Sequence, residues 1–332
     1  MRSSLKRAVH ASAVARCWLL SSAAARAIAE AVASPQIPSA TGKNLPIAVG
    51  SISITLDKLW TETEVEFGKS ISADTFFLNN EARKDQLDRV ISCLDILRSL
   101  AKVSYAARVV SHNNFPTGAG LASSASGFAA LTMAAARSLG LDFPPKKLSI
   151  IARQGSGSAA RSIFGGFVEM HVGSKGDGSD SFAEPILSSD DWPLEVVVAI
   201  TERKEKEVSS RIGMAKSELT SPYYGEWVKT SPIDLNSVRE AIQAQDFEQL
   251  AEVAELNCLK MHAVAIASQP PLVYWNSATV ACIHAVRELR RSGIPVFFTI
   301  DAGPQIKAVC IPGVSKNVEK VLRDIPGVLD TL

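Results

Sequence analysis

A stretch rich in glycine and serine, residues 113–130, has the composition of an anion-binding turn that leads into a helix. Proline and two glycines keep its backbone open, and Ser123, Ser124 and Ser126 follow where the first N–H groups of the helix lack partners. These amides and the positive end of the helix dipole favour a phosphate group. No Lys follows the glycines, so the stretch is not a P-loop. Close packing of small residues against a neighbouring helix is an equal alternative.

Two charged residues stand in surroundings that hold few other charges. Arg161 lies within residues 155–166, which contain no other charged residue, and its planar guanidinium suits a carboxylate. A surface arginine is the alternative. Asp301 ends an apolar segment, where an acid is costly unless it is paired or used. Capping a turn is the commoner role of Asp before Ala-Gly, so from these residues alone both interpretations stay open.

Three separated motifs together resemble those of the diphosphomevalonate decarboxylase family, a branch of the GHMP kinase superfamily. PTGAGLASSAS (116–126) is similar to its nucleotide-phosphate loop and RQGSGSAARSIFGGF (153–167) to its substrate motif. DAGP (301–304) is similar to its catalytic aspartate motif, although Gln305 follows where the family usually has Asn. The likeness runs from about residue 44 to the end of the chain.

The resemblance implies ATP-dependent decarboxylation of mevalonate 5-diphosphate to isopentenyl diphosphate, with ATP and Mg²⁺ as cofactors. Asp301 would take or orient the proton of a tertiary alcohol, and Arg161 would hold the substrate carboxylate. The substrate-binding positions implied here are Ser156, Gly157, Ser158, Arg161 and Met214. The ATP-binding positions are Asn114, Pro116, Gly118, Gly120, Leu121, Ala122, Ser123, Ser124 and Ser126, of which Ser124 would also reach the metal.

The beginning of the chain departs from the family pattern. Residues 11–16 are similar to the start of the family's first strand, but residues 17–38 do not match the KYWGK-type element that should follow. A missing Tyr and Lys would remove charge-assisted phosphate contacts worth about 1.5–3 kcal/mol each. Three alternatives therefore stay open: a small-molecule kinase of the same superfamily, a phosphomevalonate decarboxylase, and an inactive relic.

Strand and helix patterns around the motifs predict an α+β protein. Alternating residues predict antiparallel strands over 51–57 and 61–67, joined by a turn at 58–60. Further strands are predicted over 106–111, 167–171, 195–200, 296–301 and 307–311, and helices over 85–101, 123–139, 148–154, 208–219, 232–244, 247–267, 276–292 and 315–324.

The predicted division has three parts: an atypical basic segment rich in Ala and Ser (1–40), a nucleotide-binding domain (41–185) and a C-terminal GHMP-type domain (186–332). The resemblance implies the two-domain GHMP kinase fold. It has an N-terminal mixed-sheet α/β domain, a ferredoxin-like C-terminal α/β sandwich and an active site between them.

Composition narrows the class of protein. A net charge of +1 over 332 residues gives no basic footprint for nucleic acid, and no apolar run reaches the ~18 residues that span a bilayer. Five scattered cysteines without a CxxC pair argue against a zinc site and fit a reducing compartment. We therefore expect a cytoplasmic protein with no nucleic-acid or membrane partner. The resemblance implies an enzyme with mevalonate diphosphate and ATP as its small-molecule partners. The resemblance adds a homodimer. Residues 1–29 hold basic but no acidic residues, so an organellar transit peptide is an alternative.

Overall fold

The computed structural model describes residues 10–24, 49–115, 123–175, 177–204 and 207–332, with residues 10–24 and Arg211 described by their backbone alone. The predicted nucleotide-binding positions Pro116, Gly118, Gly120, Leu121 and Ala122 lie outside these ranges. Of the unmatched segment 17–38, residues 17–24 continue a strand, and the remainder lies outside the described residues. Most of the predicted basic segment 1–40 also lies outside the described residues.

The first sheet has seven strands, and its long central strand is β2 (Ser51–Gly68). Strand β1 (His10–Ala24) runs antiparallel to β2 over most of its length. On the other side of β2, β5 (Ala106–Asn113) pairs with its second half and β6 (Phe167–Met170) with its first half. The sheet is completed by β3 (Thr75–Leu78), β4 (Glu81–Ala82) and β7 (Ala183–Leu187). Its helices are α1 (Lys84–Ala101), α2 (Ser123–Ser138) and α3 (Pro145–Gly155), followed by a 3₁₀ helix (Gly157–Ile163).

The second sheet is antiparallel, in the order β11 (Asp330–Thr331), β8 (Glu195–Ile200), β10 (Ile306–Cys310) and β9 (Val296–Ile300). Five helices accompany it: α4 (Ser210–Thr220), α5 (Tyr224–Ala244), α6 (Phe247–Ile266), α7 (Ser277–Arg291) and α8 (Ser315–Arg323). In the described part of the chain, no helix is both long and apolar enough to cross a membrane.

The predicted turn at residues 58–60 is wrong, because β2 passes through it as one strand. Its pairing with β1 shifts register there: Trp18 pairs with Trp60, while Leu19 pairs with Leu56. The residues between these two pairs are therefore extra residues of β2, as in a β-bulge. They do not form the turn of a hairpin. No Gly, Pro, Asn or Asp stands at residues 58–60 to support a tight turn.

The two halves share buried apolar clusters, so the sheets lie against a common interior. One cluster joins Ile52 and Phe167 of the first sheet to Phe297 and Val309 of the second through residues of α5 and α6. The predicted division at 185/186 falls inside β7, which belongs to the first sheet, and the second sheet begins at β8. The chain combines two β-sheets with helices, which matches the predicted fold class. The domain limits stay a prediction.

Candidate active site

The guanidinium of Arg161 is buried in the middle of the molecule. The residue lies in the 3₁₀ helix and is 0% exposed. Its Nε donates to the Ser53 hydroxyl at 3.1 Å, and its Nη1 donates to the Ser51 hydroxyl. A buried charge needs such partners, because a guanidinium taken out of water is costly unless it is hydrogen-bonded. The predicted surface alternative for Arg161 is therefore wrong.

A row of serine hydroxyls leads from helix α2 to this arginine. The Ser124 hydroxyl lies 3.3 Å from that of Ser156, which lies 3.4 Å from that of Ser158. In a 3₁₀ helix residues three apart are eclipsed, so Ser158 and Arg161 share one face. Gly157 begins the helix between the two serines. The start of α2 and the substrate motif thus meet in one polar row.

Asp301 directly follows strand β9 and forms a buried ion pair. Its Oδ2 accepts a hydrogen bond from Nζ of Lys307 at 2.7 Å. Lys307 is 1% exposed and Asp301 is 8% exposed, so the pair is shielded from bulk water. Lys307 lies on β10, opposite Thr299 of β9, which brings its side chain alongside the end of that strand.

Helix α6 holds the strand end that carries the aspartate. Cys258 and His262 are one helical turn apart, and both contact the backbone of Ile300, the residue before Asp301. Burial lowers the pKa of His262 to about 4 and raises the pKa of the Cys258 thiol to about 12. Both side chains are therefore neutral at pH 7 and support Ile300 without adding charge.

The start of β2 links the arginine to the aspartate. Val49 packs in the same buried cluster as Ala302, which follows Asp301, while Ser51 accepts a hydrogen bond from Arg161. Two residues of extended chain span about 7 Å, so the start of β2 connects the surroundings of Arg161 with the buried cluster beneath the aspartate turn.

Three other predicted positions have firm structural surroundings. Met214 is fully buried in the cluster that contains Ala302, so it packs beneath the aspartate turn. The Asn114 side chain bonds the β2 backbone, accepting from Trp60 N at 2.8 Å and donating to Lys58 O at 2.7 Å. Ser126 is 2.7 Å from the Thr61 hydroxyl. Their ligand contacts stay predictions.

Gln305, which departs from the usual Asn, anchors the turn after Asp301. Its Oε1 accepts from Thr201 N at 2.6 Å, and its Nε2 donates to Glu202 O at 2.5 Å. The Pro304 carbonyl accepts from the hydroxyls of Thr201 and Thr279, at 3.1 and 2.7 Å. The longer side chain thus ties the turn to the end of β8.

Sequence reasoning missed Ser51, Ser53 and Lys307. The two serines alternate with Ile52 and Ile54, a pattern that suggests one solvent-facing side, yet both serines are fully buried. Lys307 stands in a strand whose other residues are apolar, and a lone charge in such a strand is a signal that a buried partner exists.

The described residues hold no group of three or more His, Cys, Asp and Glu side chains arranged for a metal ion. Mg²⁺ needs no such group where phosphates supply its other ligands. The Ser124 hydroxyl at the first turn of α2 fits one metal contact of that kind.

Both halves of the chain match models of one known family. Residues 39–183 match the model of the diphosphomevalonate decarboxylase-like N-terminal domain, and residues 196–329 match that of the mevalonate 5-diphosphate decarboxylase C-terminal domain. The diphosphomevalonate decarboxylase of Gibberella zeae is 39% identical over 280 residues, covering 79% of this chain and 73% of that protein.

Solved structures agree over nearly the whole chain. A complex of MDDEF with MVAPP, AMPPCP and magnesium is 35% identical with a TM-score of 0.86, covering 97% of this chain and 96% of that one. Mevalonate diphosphate decarboxylase from Staphylococcus aureus is 34% identical with a TM-score of 0.85, covering 95% and 92%. With both halves matched in sequence and in fold, the chain belongs to the diphosphomevalonate decarboxylase family.

Proposed function

We propose that Asp301, Arg161 and the adjoining serines carry out the ATP-dependent decarboxylation of mevalonate diphosphate, the activity of the family to which the chain belongs. The observation that carries this assignment is that Arg161 and Asp301, which stand in two separate motifs of the family, are both buried charges. Asp301 is paired with Lys307, and Arg161 is bonded to Ser51 and Ser53. Burial in a low-dielectric interior strengthens the electrostatic interactions that these two charges make with a bound substrate.

In the first stage Asp301 orients the 3-hydroxyl of the substrate. The carboxylate accepts a hydrogen bond from this hydroxyl, whose oxygen is thereby directed at the γ-phosphorus of ATP. A new phosphorus–oxygen bond forms while the bond from the γ-phosphorus to the bridging oxygen of ADP breaks, and the hydroxyl proton passes to Asp301 as the transfer completes. Phosphoryl transfer of this kind depends mainly on positioning and electrostatics, and the buried position of Asp301 supplies both.

In the second stage Arg161 holds the substrate carboxylate. The 3-phosphate departs with its bonding electron pair, and positive charge develops at a tertiary carbon, which tolerates it. The bond to the carboxyl carbon then breaks, its electron pair forms the double bond of isopentenyl diphosphate, and CO₂ is released. A planar guanidinium suits this role because it can bind both carboxylate oxygens in one orientation. The serine row of Ser156 and Ser158 lies beside it to donate further hydrogen bonds.

ATP and Mg²⁺ are the cofactors, and a complex of a similar protein with AMPPCP and magnesium supports a site for both. Ser123 and Ser124 begin α2, where N–H groups and the helix dipole favour phosphate. We propose that Ser124 contacts the metal and that the phosphates provide most of its remaining ligands. When bound, the ion neutralises phosphate charge during transfer.

The assignment is tested by Asp301→Asn, assayed for ADP and CO₂ with ATP, Mg²⁺ and mevalonate diphosphate. We expect most of kcat to be lost with KM little changed, because the amide keeps the shape but not the charge. Asp234→Asn is a matched control, since Asp234 is also 8% exposed and also pairs with a lysine, Lys260, at 2.9 Å. Unchanged turnover in Asp301→Asn would remove Asp301 from its role.

Two further proposals rest on the family resemblance and on the composition of the chain, respectively. We propose that the protein is a homodimer and that it acts in the cytoplasm. Light scattering on the purified protein tests the first, and fractionation of cells that express the full chain tests the second. A monomeric mass, or recovery within an organelle, would overturn the corresponding proposal.

A further inference from the structure

Lys307 has no part in the roles assigned above, yet its position is unusual. The residue is nearly fully buried within β10, whose five residues are all buried, and its Nζ lies 2.7 Å from Oδ2 of Asp301. Burying an ammonium carries a desolvation cost that only good geometry with an opposite charge offsets. An apolar side chain would fill a strand position of this kind at lower cost. The lysine therefore calls for a role beyond packing.

We propose that Lys307 is a positioning residue for the reaction: it keeps the Asp301 carboxylate ionised and fixes the direction in which it meets the substrate hydroxyl. This inference rests on the proposed role of Asp301. It adds a second residue that acts through the aspartate without touching the substrate itself.

Among the described residues, the side chains that approach the surroundings of the ion pair from α6, β8 and the turn are neutral at pH 7. From α6, His262 and Cys258 approach through the backbone of Ile300, and burial keeps the imidazole and the thiol neutral at pH 7. Thr201 at the end of β8 and Gln305 in the turn are neutral by type. Arg161, the other buried cation assigned to the reaction, donates hydrogen bonds to Ser51 and Ser53.

A carboxylate beside an ammonium stays ionised to lower pH and is a weaker base. Weak basicity suits phosphoryl transfer through a loose transition state, in which the attacking hydroxyl needs direction more than early loss of its proton. The pair therefore favours an aspartate that orients the hydroxyl and receives the proton late. The same pairing holds the carboxylate in one rotamer, so that it is already oriented towards the substrate hydroxyl when the substrate binds.

The test compares the pH dependence of kcat for wild type, Lys307→Met and Lys307→Arg. An adjacent opposite charge lowers a carboxyl pKa by about 1–3 units, so its removal should move the acid limb of the Lys307→Met profile up by that amount. Lys307→Arg retains the charge, and its acid limb should stay near that of wild type. Lys260→Met is the control, since it breaks the partly buried pair with Asp234 on helices α5 and α6. Its profile should match wild type.

Loss of the lysine leaves a buried carboxylate without its cation, which destabilises the fold. Lys307→Gln retains a donor without the charge and provides a second variant if Lys307→Met does not fold; the same upward shift is expected. An acid limb that coincides with that of wild type in either uncharged variant would overturn the inference. If Asp301→Asn loses turnover while the limb is unshifted, only Lys307 loses its role. If Asp301→Asn keeps turnover, the proposed function itself fails.

Discussion

Replacing Ser53 by Ala tests whether the serines of β2 set the position of Arg161. The hydroxyl of Ser53 is fully buried and accepts from Nε of Arg161 at 3.1 Å. Removing it leaves one guanidinium N–H without this acceptor in a region closed to water. The bond from Nη1 to the Ser51 hydroxyl stays in place and still holds another part of the planar group.

The size of the effect follows from the type of bond. A hydrogen bond to a charged group contributes about 1.5–3 kcal/mol. If that energy were lost entirely from the transition state, kcat/KM would fall about 10- to 150-fold, because each 1.36 kcal/mol is a factor of ten. Since Ser51 still holds Nη1, we expect the lower end, about tenfold.

The assay is steady-state release of ADP with mevalonate diphosphate and ATP, alongside the melting temperature of each variant. Ser149→Ala provides the matched control, because Ser149 on α3 is equally buried and its hydroxyl accepts from Ala183 N of β7 at 3.1 Å. We expect both variants to lose stability and only Ser53→Ala to lose kcat/KM. Equal kcat/KM in the two variants, at wild-type level, would refute the positioning role of Ser53.

Two further predictions concern residues that support the backbone on either side of Asp301. Burial lowers the pKa of His262 from 6.5 to about 4, so between those values the unfolded chain binds a proton there that the folded chain does not. The free energy of unfolding should therefore fall as pH drops through that window. Urea unfolding at pH 7 and 5 should show a smaller decrease of this free energy for His262→Gln than for wild type. Gln305→Ala removes buried bonds to Thr201 N and Glu202 O and should lower the free energy of unfolding by about 1–3 kcal/mol. Calorimetry that shows no change would contradict the anchoring role of Gln305.

The periodic elements of the chain were predictable from sequence because their pattern is local. Strand β8 has the predicted limits 195–200, and α1 and α6 begin or end within one residue of the prediction. The continuous strand β2 was not predictable in this way, because its irregular middle is accommodated by pairing with β1, a distant partner. Short strands such as β3 and β11 carry too few residues to show a period.

The site residues that belong to a motif could be predicted from the sequence. The site residues that are distinguished only by their burial could not. Arg161 and Asp301 stand out in sequence, and the serine row follows from the same motifs. The residues that hold them, Ser51, Ser53 and Lys307, are recognisable only once both faces of β2 and β10 are known to be covered. Polar residues that alternate with apolar ones in a strand usually face solvent. Here tertiary packing covers that side of the strand as well, so the polar residues are buried.

The most direct measurement of the central claim is the stoichiometry of the wild-type reaction with Mg²⁺, ATP and mevalonate diphosphate labelled in its carboxyl group. A single cleft in which Asp301 serves phosphoryl transfer and Arg161 serves loss of the carboxyl group predicts one ADP and one labelled CO₂ per substrate consumed. ADP release without CO₂ would mean that the reaction stops at the phosphate ester and would contradict the account.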